Sequence, residues 1–132
     1  MKIQIVATVS ANGYLASAND ECRWWSFKKS YNLSALREGA DLLLHKNTSL
    51  LSLLAEKQSN SDITYFAEAT PDTIDLIKGL SLYRLADELF LYILPYNIDS
   101  GVPLSTVINP EEWLLVKEYP RRITCRIYQK KK

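Results

Sequence analysis

The chain has 132 residues, enough for one domain that buries about two thirds of the surface its unfolded form exposes, and so for a single self-supporting core. Sixteen Lys and Arg against fifteen Asp and Glu leave a formal charge of +1, which sets up no global field to recruit nucleic acid or another polyanion. Two cysteines, Cys22 and Cys125, and one histidine, His45, offer no CxxC or HxH spacing, so a structural zinc site has almost no sequence support and free thiols are expected.

The N-terminus goes straight into Lys2-Ile3-Gln4-Ile5-Val6-Ala7, too short an apolar run for a secretory leader. No stretch approaches the roughly 18–20 apolar residues of a membrane span, so a soluble, cytoplasmic protein is expected. Lys2 to Val9 reads as a first strand, and Ser10-Ala11-Asn12-Gly13 as the tight turn after it, with Gly13 free to take positive φ. A polar stretch from Ser17 to Arg23 leads to Trp24-Trp25-Ser26-Phe27, aromatic residues suited to a core, a pocket wall or a contact between copies. Leu36 to Asp41 closes a helix with Gly39 as its C-cap, and Leu42-Leu43-Leu44 is expected as a short buried strand. Thr48 or Asn47 can cap a helix reaching Glu56-Lys57, with Leu50, Leu51, Leu53 and Leu54 on its buried face. A third strand is expected at Ile63 to Ala67. Thr70-Pro71 then supplies an N-cap and an N1 proline for a helix to Leu82, with Ile74, Ile77, Lys78 and Leu82 as its stripe.

Leu89-Phe90-Leu91-Tyr92-Ile93-Leu94 is a run without a charge, limited by Asp87-Glu88 before it and Pro95 after it. Such a run fits a strand covered on both faces, in the middle of a sheet. The chain then turns through Asn97 to Gly101 into Val102-Pro103-Leu104, followed by a loop or short edge segment to Glu112. Trp113 to Tyr119 and Ile123 to Gln129 form an antiparallel hairpin across Pro120-Arg121-Arg122. Period-two alternation puts Thr124, Arg126 and Tyr128 on one face and Ile123, Cys125 and Ile127 on the other, which makes Cys125 a core residue. The run Lys130-Lys131-Lys132 reads as a solvated tail.

Three segments carry a resemblance. Asn12-Gly13-Tyr14-Leu15-Ala16 after the first strand, Gly39 to Thr48, and Leu85-Ala86-Asp87-Glu88-Leu89 leading through Pro95 to Gly101-Val102-Pro103-Leu104 together resemble dihydrofolate-reductase-like proteins, the group that includes the reductase domain of bacterial riboflavin biosynthesis. The resemblance implies an α/β, three-layer domain spanning 1–132. Its mixed, mainly parallel central sheet has six or seven strands, flanked by three main helices and ended by a C-terminal antiparallel β-hairpin. Alternating strands and helices with right-handed crossovers lead to the same parallel core. It also implies an NADPH site, lined here by Ala7, Asn12, Gly13, Lys46 and Thr48, from which hydride passes to a pterin or pyrimidine-like ring.

The sequence departs from that family where the cofactor phosphates would sit. Where relatives read G-R-x-T, this chain has His45-Lys46-Asn47-Thr48, and a β-carbon with an imidazole crowds a phosphate. Where relatives have a glycine turn at a helix N-terminus, this chain has Phe66-Ala67-Glu68-Ala69-Thr70-Pro71-Asp72. Pro71 removes an amide donor, and Glu68 and Asp72 bring negative charge toward a diphosphate. A further segment on the order of 30 residues that normally holds the adenosine end is missing between Thr48 and Ile63. No acid lies in Ser26 to Leu36 to protonate a pterin, so no catalytic residue is assigned. Two functions follow. One is a cofactor-free descendant that binds a small molecule or pairs with a second copy through its aromatic residues Trp24, Trp25, Tyr92 and Trp113; the other is an NADPH-dependent oxidoreductase.

Overall fold

The computed structural model of the chain describes residues 1–15, 39–59, 62–97, 101–120 and 123–131. Its strands are β1 (Lys2–Val9), β2 (Leu42–Leu43), β3 (Thr64–Ala69), β4 (Glu88–Ile93), β5 (Trp113–Tyr119) and β6 (Thr124–Lys130). Two α-helices are described, α1 (Leu50–Lys57) and α2 (Ile74–Leu82). The sheet runs β2-β3-β1-β4-β6-β5. Its first four strands are parallel, and β6 and β5 are added antiparallel as the C-terminal hairpin. The α/β class, the mainly parallel sheet and the terminal hairpin expected from the sequence are all present. The paired tryptophans Trp24 and Trp25, Cys22, the body of the helix ending at Gly39 and the hairpin residues Arg121 and Arg122 lie outside the described residues.

β4 lies between β1 and β6, as an uncharged run requires. Leu89 and Leu91 enter one core with Ile3, Ile5 and Ala7 of β1, together with Ile77 and Leu80 of α2. Phe90 and Tyr92 enter the other, with Val6, Phe66, Leu94 and Ile123. Asp87, just before this strand, ties it to β1. Its carboxylate accepts the Ile3 N–H at 2.8 Å while its own N–H donates to the Ile3 carbonyl at 2.9 Å. Cys125 packs against the second core beside Ile127 and Tyr96.

Several local expectations change. The trio Leu42-Leu43-Leu44 is not a buried strand: β2 is the sheet edge, Leu42 and Leu43 are about half exposed, and only Leu44 turns inward. α1 is capped by Ser49, whose hydroxyl accepts the Ser52 N–H, because the Thr48 hydroxyl is already held by the His45 N–H. Leu51 faces outward at 78 % exposure, and Leu53 is the helix residue that is fully buried. In α2 the buried residues are Leu76, Ile77, Gly79 and Leu80, while Leu82 is exposed. Gly79 marks the closest approach of the two helices, since a β-carbon there would run into Leu50. Trp113 and Tyr92 are buried, so they add no exposed apolar surface; besides Leu42, Leu43, Leu51 and Leu82, a run of three exposed apolar residues lies on the edge strand β5, at Leu114, Leu115 and Val116.

Candidate functional site

In an open parallel sheet, ligands bind beyond the carboxyl ends of the strands, where successive connections leave to opposite sides. Here that point is beside β1, with β3 and β2 on one flank and β4 on the other. Four connections meet this edge: Ser10–Gly13 after β1, His45–Thr48 after β2, Thr70–Thr73 after β3 and Pro95–Asn97 after β4.

The turn after β1 is built on Ser10, which is buried. Its hydroxyl accepts the Tyr14 N–H at 3.1 Å and bonds to Asn12 Oδ1, while the Gly13 N–H donates to the Ser10 carbonyl at 3.0 Å. Gly13 has φ of +89°, a conformation that side chains with a β-carbon resist. The turn is stitched to the loop beyond β4: Ala11 N–H donates to the Tyr96 carbonyl, Leu15 N–H to Val102 and Leu104 N–H to Gly13. Asn12 and Gly13 are thereby held beside Pro103 and Leu104.

Lys46 and Thr48 sit elsewhere. The turn after β2 closes on itself, with Thr48 N–H donating to the His45 carbonyl at 2.9 Å and Asn47 N–H to His45 Nδ1 at 3.3 Å. Lys46 is exposed. β3 stands between β2 and β1, so this turn is roughly two strand spacings, about 10 Å, from the Asn12 turn. Ala7, paired to Ala69 on one side and Leu91 on the other, is completely buried and presents no side chain to a ligand. The five sequence candidates thus divide into three places along one edge.

The turn after β3 is closed by side chains. Thr73 Oγ1 accepts the Thr70 N–H at 2.9 Å and donates to the Glu68 carbonyl at 2.8 Å. Pro71 occupies the first position of a 3-10 turn, Pro71–Thr73, and Asp72 is exposed in that turn. A helix N-terminus attracts anions through unpaired amides. At this one an amide is absent at Pro71, another is capped at Thr70, and a carboxylate stands beside both.

Alternation in β4 and β6 builds a further feature that sequence reasoning did not single out as a site. A cavity of about 250 Å³ opens on the face that carries α1 and α2, walled by Leu89, Leu91, Leu104, Ile108, Trp113 and Tyr128. Asn12 and Gly13 also border it. Leu89 is directly paired with Tyr128, which places both on this wall. Trp113 is 4 % exposed, and its Nε1–H is buried without a hydrogen-bond acceptor among the described residues. Lys130 Nζ lies 5.1 Å from the centre of its ring and donates to Glu112 at 2.7 Å, a contact that holds the Glu112 carboxyl below the usual carboxylate range. The aromatic residue and the alternation were visible in the sequence; what the loop from Leu104 to Glu112 would cover was not.

At the opposite end of the sheet a broad open cleft of about 620 Å³ runs between the starts of β1 and β4 and the end of β6. Four basic side chains, Lys2, Arg84, Lys130 and Lys131, line it against the two carboxylates Asp87 and Glu88, with Lys2 paired to Glu88. Among the described residues no cluster of three or more His, Cys, Asp or Glu is placed to hold a metal ion. No described helix is long and apolar enough to cross a membrane.

No protein-family model matches the sequence, and no curated protein matches it. Solved structures do. A protein ascribed to riboflavin biosynthesis from Shewanella sp. PV-4 superposes over 100 % of both chains with a TM-score of 0.69 at 15 % identity. The diaminohydroxyphosphoribosylaminopyrimidine deaminase/5-amino-6-(5-phosphoribosylamino)uracil reductase of Thermotoga maritima matches 98 % of this chain with a TM-score of 0.68 at 10 % identity. This chain spans 56 % of that protein's length. The riboflavin biosynthesis reductase of Saccharomyces cerevisiae matches over 99 % of this chain and 89 % of its own, with a TM-score of 0.53 at 9 % identity. Sheet order, terminal hairpin and these superpositions together identify the fold as that of the dihydrofolate-reductase-like, riboflavin-biosynthesis reductase structures.

Proposed function

We propose that this chain keeps a reductase fold but binds a small molecule in place of a dinucleotide, without redox chemistry of its own. The observation that carries the reading is the β3–α2 turn, where Thr73 caps the Thr70 amide, Pro71 offers none and Asp72 adds negative charge. A diphosphate there would meet a carboxylate instead of a cradle of N–H groups. The exposed apolar edge of β5 supports pairing with a second copy as an accompanying property, which light scattering would test against monomer mass.

The test is a thermal-shift titration with NADPH, NADP and a panel of pterins. A ligand that binds only the folded state raises the melting temperature, by about 2.7 kcal/mol of stability at a hundred times its Kd. The expected outcome is no shift with either dinucleotide, and a saturable shift with NADPH would refute the reading. The second reading, an NADPH-dependent oxidoreductase, is favoured by one feature, the exposed Lys46 at the carboxyl end of β2. Under it, Lys46→Ala would weaken NADPH binding; under the first reading that variant behaves as wild type.

A further inference from the structure

We infer that the cavity beneath the Leu104–Glu112 loop is the binding site for a compact, neutral aromatic ligand that carries a hydrogen-bond acceptor, which locates the small-molecule function proposed above and rests on it. Two independent observations converge. The first is the space itself: an open-mouthed pocket of about 250 Å³ lined by Leu89, Leu91, Leu104, Ile108 and the rings of Trp113 and Tyr128. The volume lies just under the roughly 300–1,000 Å³ of sites for drug-sized ligands, which limits the occupant to one or two rings.

The second observation is the Trp113 indole. Buried N–H groups are nearly always paired, and this one has no acceptor among the described residues while its ring lines the cavity. An incoming ring nitrogen or carbonyl would satisfy it. The walls set the remaining chemistry. Leucine, isoleucine and proline side chains give a charged ligand nothing in exchange for its water, so the ligand is neutral. Two aromatic rings favour an aromatic partner. The wall is made by β4, β6 and the start of β5, on the face of the sheet that carries α1 and α2. It needs neither the Lys46 turn nor the β3–α2 turn.

Toluene and 4-methylpyridine, the latter above its own pKa, are the probes, being of one shape with and without the acceptor. In ¹⁵N-labelled protein the three tryptophans give three indole N–H signals, and Trp113 is the one absent from Trp113→Phe. With wild type, 4-methylpyridine should move that signal saturably. Trp113→Phe should lower the preference for 4-methylpyridine over toluene by about three- to tenfold, the usual worth of one hydrogen bond. Should Trp113→Phe not fold, Leu104→Trp fills the space from a half-buried position and must abolish the saturable movement of the indole signal that 4-methylpyridine shifts in wild type. A Trp113 signal unmoved by either probe, an unchanged preference, or binding that survives Leu104→Trp would each overturn the assignment. Probe binding that moves signals elsewhere overturns the cavity and leaves the small-molecule reading standing. A thermal shift with NADPH alone overturns that reading instead.

Discussion

Thr73 can be removed without changing the shape of its side chain. In Thr73→Val a methyl replaces the hydroxyl that accepts the Thr70 N–H at 2.9 Å and donates to the Glu68 carbonyl at 2.8 Å. A hydroxyl carries one proton, so the Glu68 bond uses it and the longer approach to the Thr70 carbonyl, 3.3 Å, is secondary. Two neutral hydrogen bonds are worth about 1 kcal/mol each, and a lost N-cap costs about the same. The turn is half-exposed, so water recovers part of this, and the expected loss is about 1–2 kcal/mol. For a chain of this size that lowers the melting temperature by about 3–8 °C. Thr73→Ser keeps both bonds and gives up one partly buried methyl, at less than about 0.8 kcal/mol. Thermal melts of the three proteins decide the matter. A valine variant that melts with wild type, or a serine variant less stable than the valine one, would show that the hydroxyl does not close this turn.

Asp87→Ala strips the acceptor from the Ile3 N–H and should cost about 1.5–3 kcal/mol in urea unfolding, with Asp87→Asn costing less; equal losses would place the effect in the charge rather than the bond. The Tyr65 hydroxyl donates to Glu56 at 2.7 Å, and the carboxylate beside it pushes the phenol up to about 12 from its ordinary value near 10. A raised folded-state pKa gives stabilisation that is complete below about pH 10 and is lost as the pH climbs toward about 12. Tyr65→Phe should therefore lose less stability than wild type across that alkaline window, and matching pH slopes would rule the coupling out. Gly79→Ala gains about 1 kcal/mol of helix propensity but forces Leu50 to move, so it should be stabilising in a Leu50→Ala background and neutral or destabilising in wild type. Equal effects in both backgrounds would contradict the close approach of α1 and α2.

The strands were legible where the residue pattern allows one solution. Lys2–Val9 is β-branched and ends in a turn signal, and its limits agree with the structure. Leu89 to Leu94 offers no polar face, and burying Leu89 and Leu91 in one core while Phe90 and Tyr92 enter the other is the sheet's answer to that. Elsewhere the pattern admits several solutions. Leu42-Leu43-Leu44 has no period, so nothing in it says that two of its residues lie at an edge. Leu50, Leu51, Leu53 and Leu54 spread over roughly 160° of a helix, wider than one contact stripe, and tertiary packing chooses Leu53 for the interior. Asn47, Thr48 and Ser49 are all good caps, and the choice of Ser49 depends on a hydrogen bond that Thr48 makes to His45 across the turn.

The two halves of the candidate site differ in the same way. The β3–α2 turn is a local object: proline, two threonines and two acids within a few residues state their own chemistry, and the structure adds which hydroxyl takes which amide. The cavity is assembled from residues near both ends of the chain and from β4 between them, and its existence depends on the Leu104–Glu112 loop bridging over rather than filling the space. That separation has a functional consequence. The Asp72 carboxylate lies in the turn beyond the end of β3, whereas the Trp113 wall begins on β4 and continues through β6. Under the proposed reading, a turn after β3 that does not grip phosphates leaves the packing around the second place untouched, so a small ring would be recognised on one side of the sheet independently of that edge.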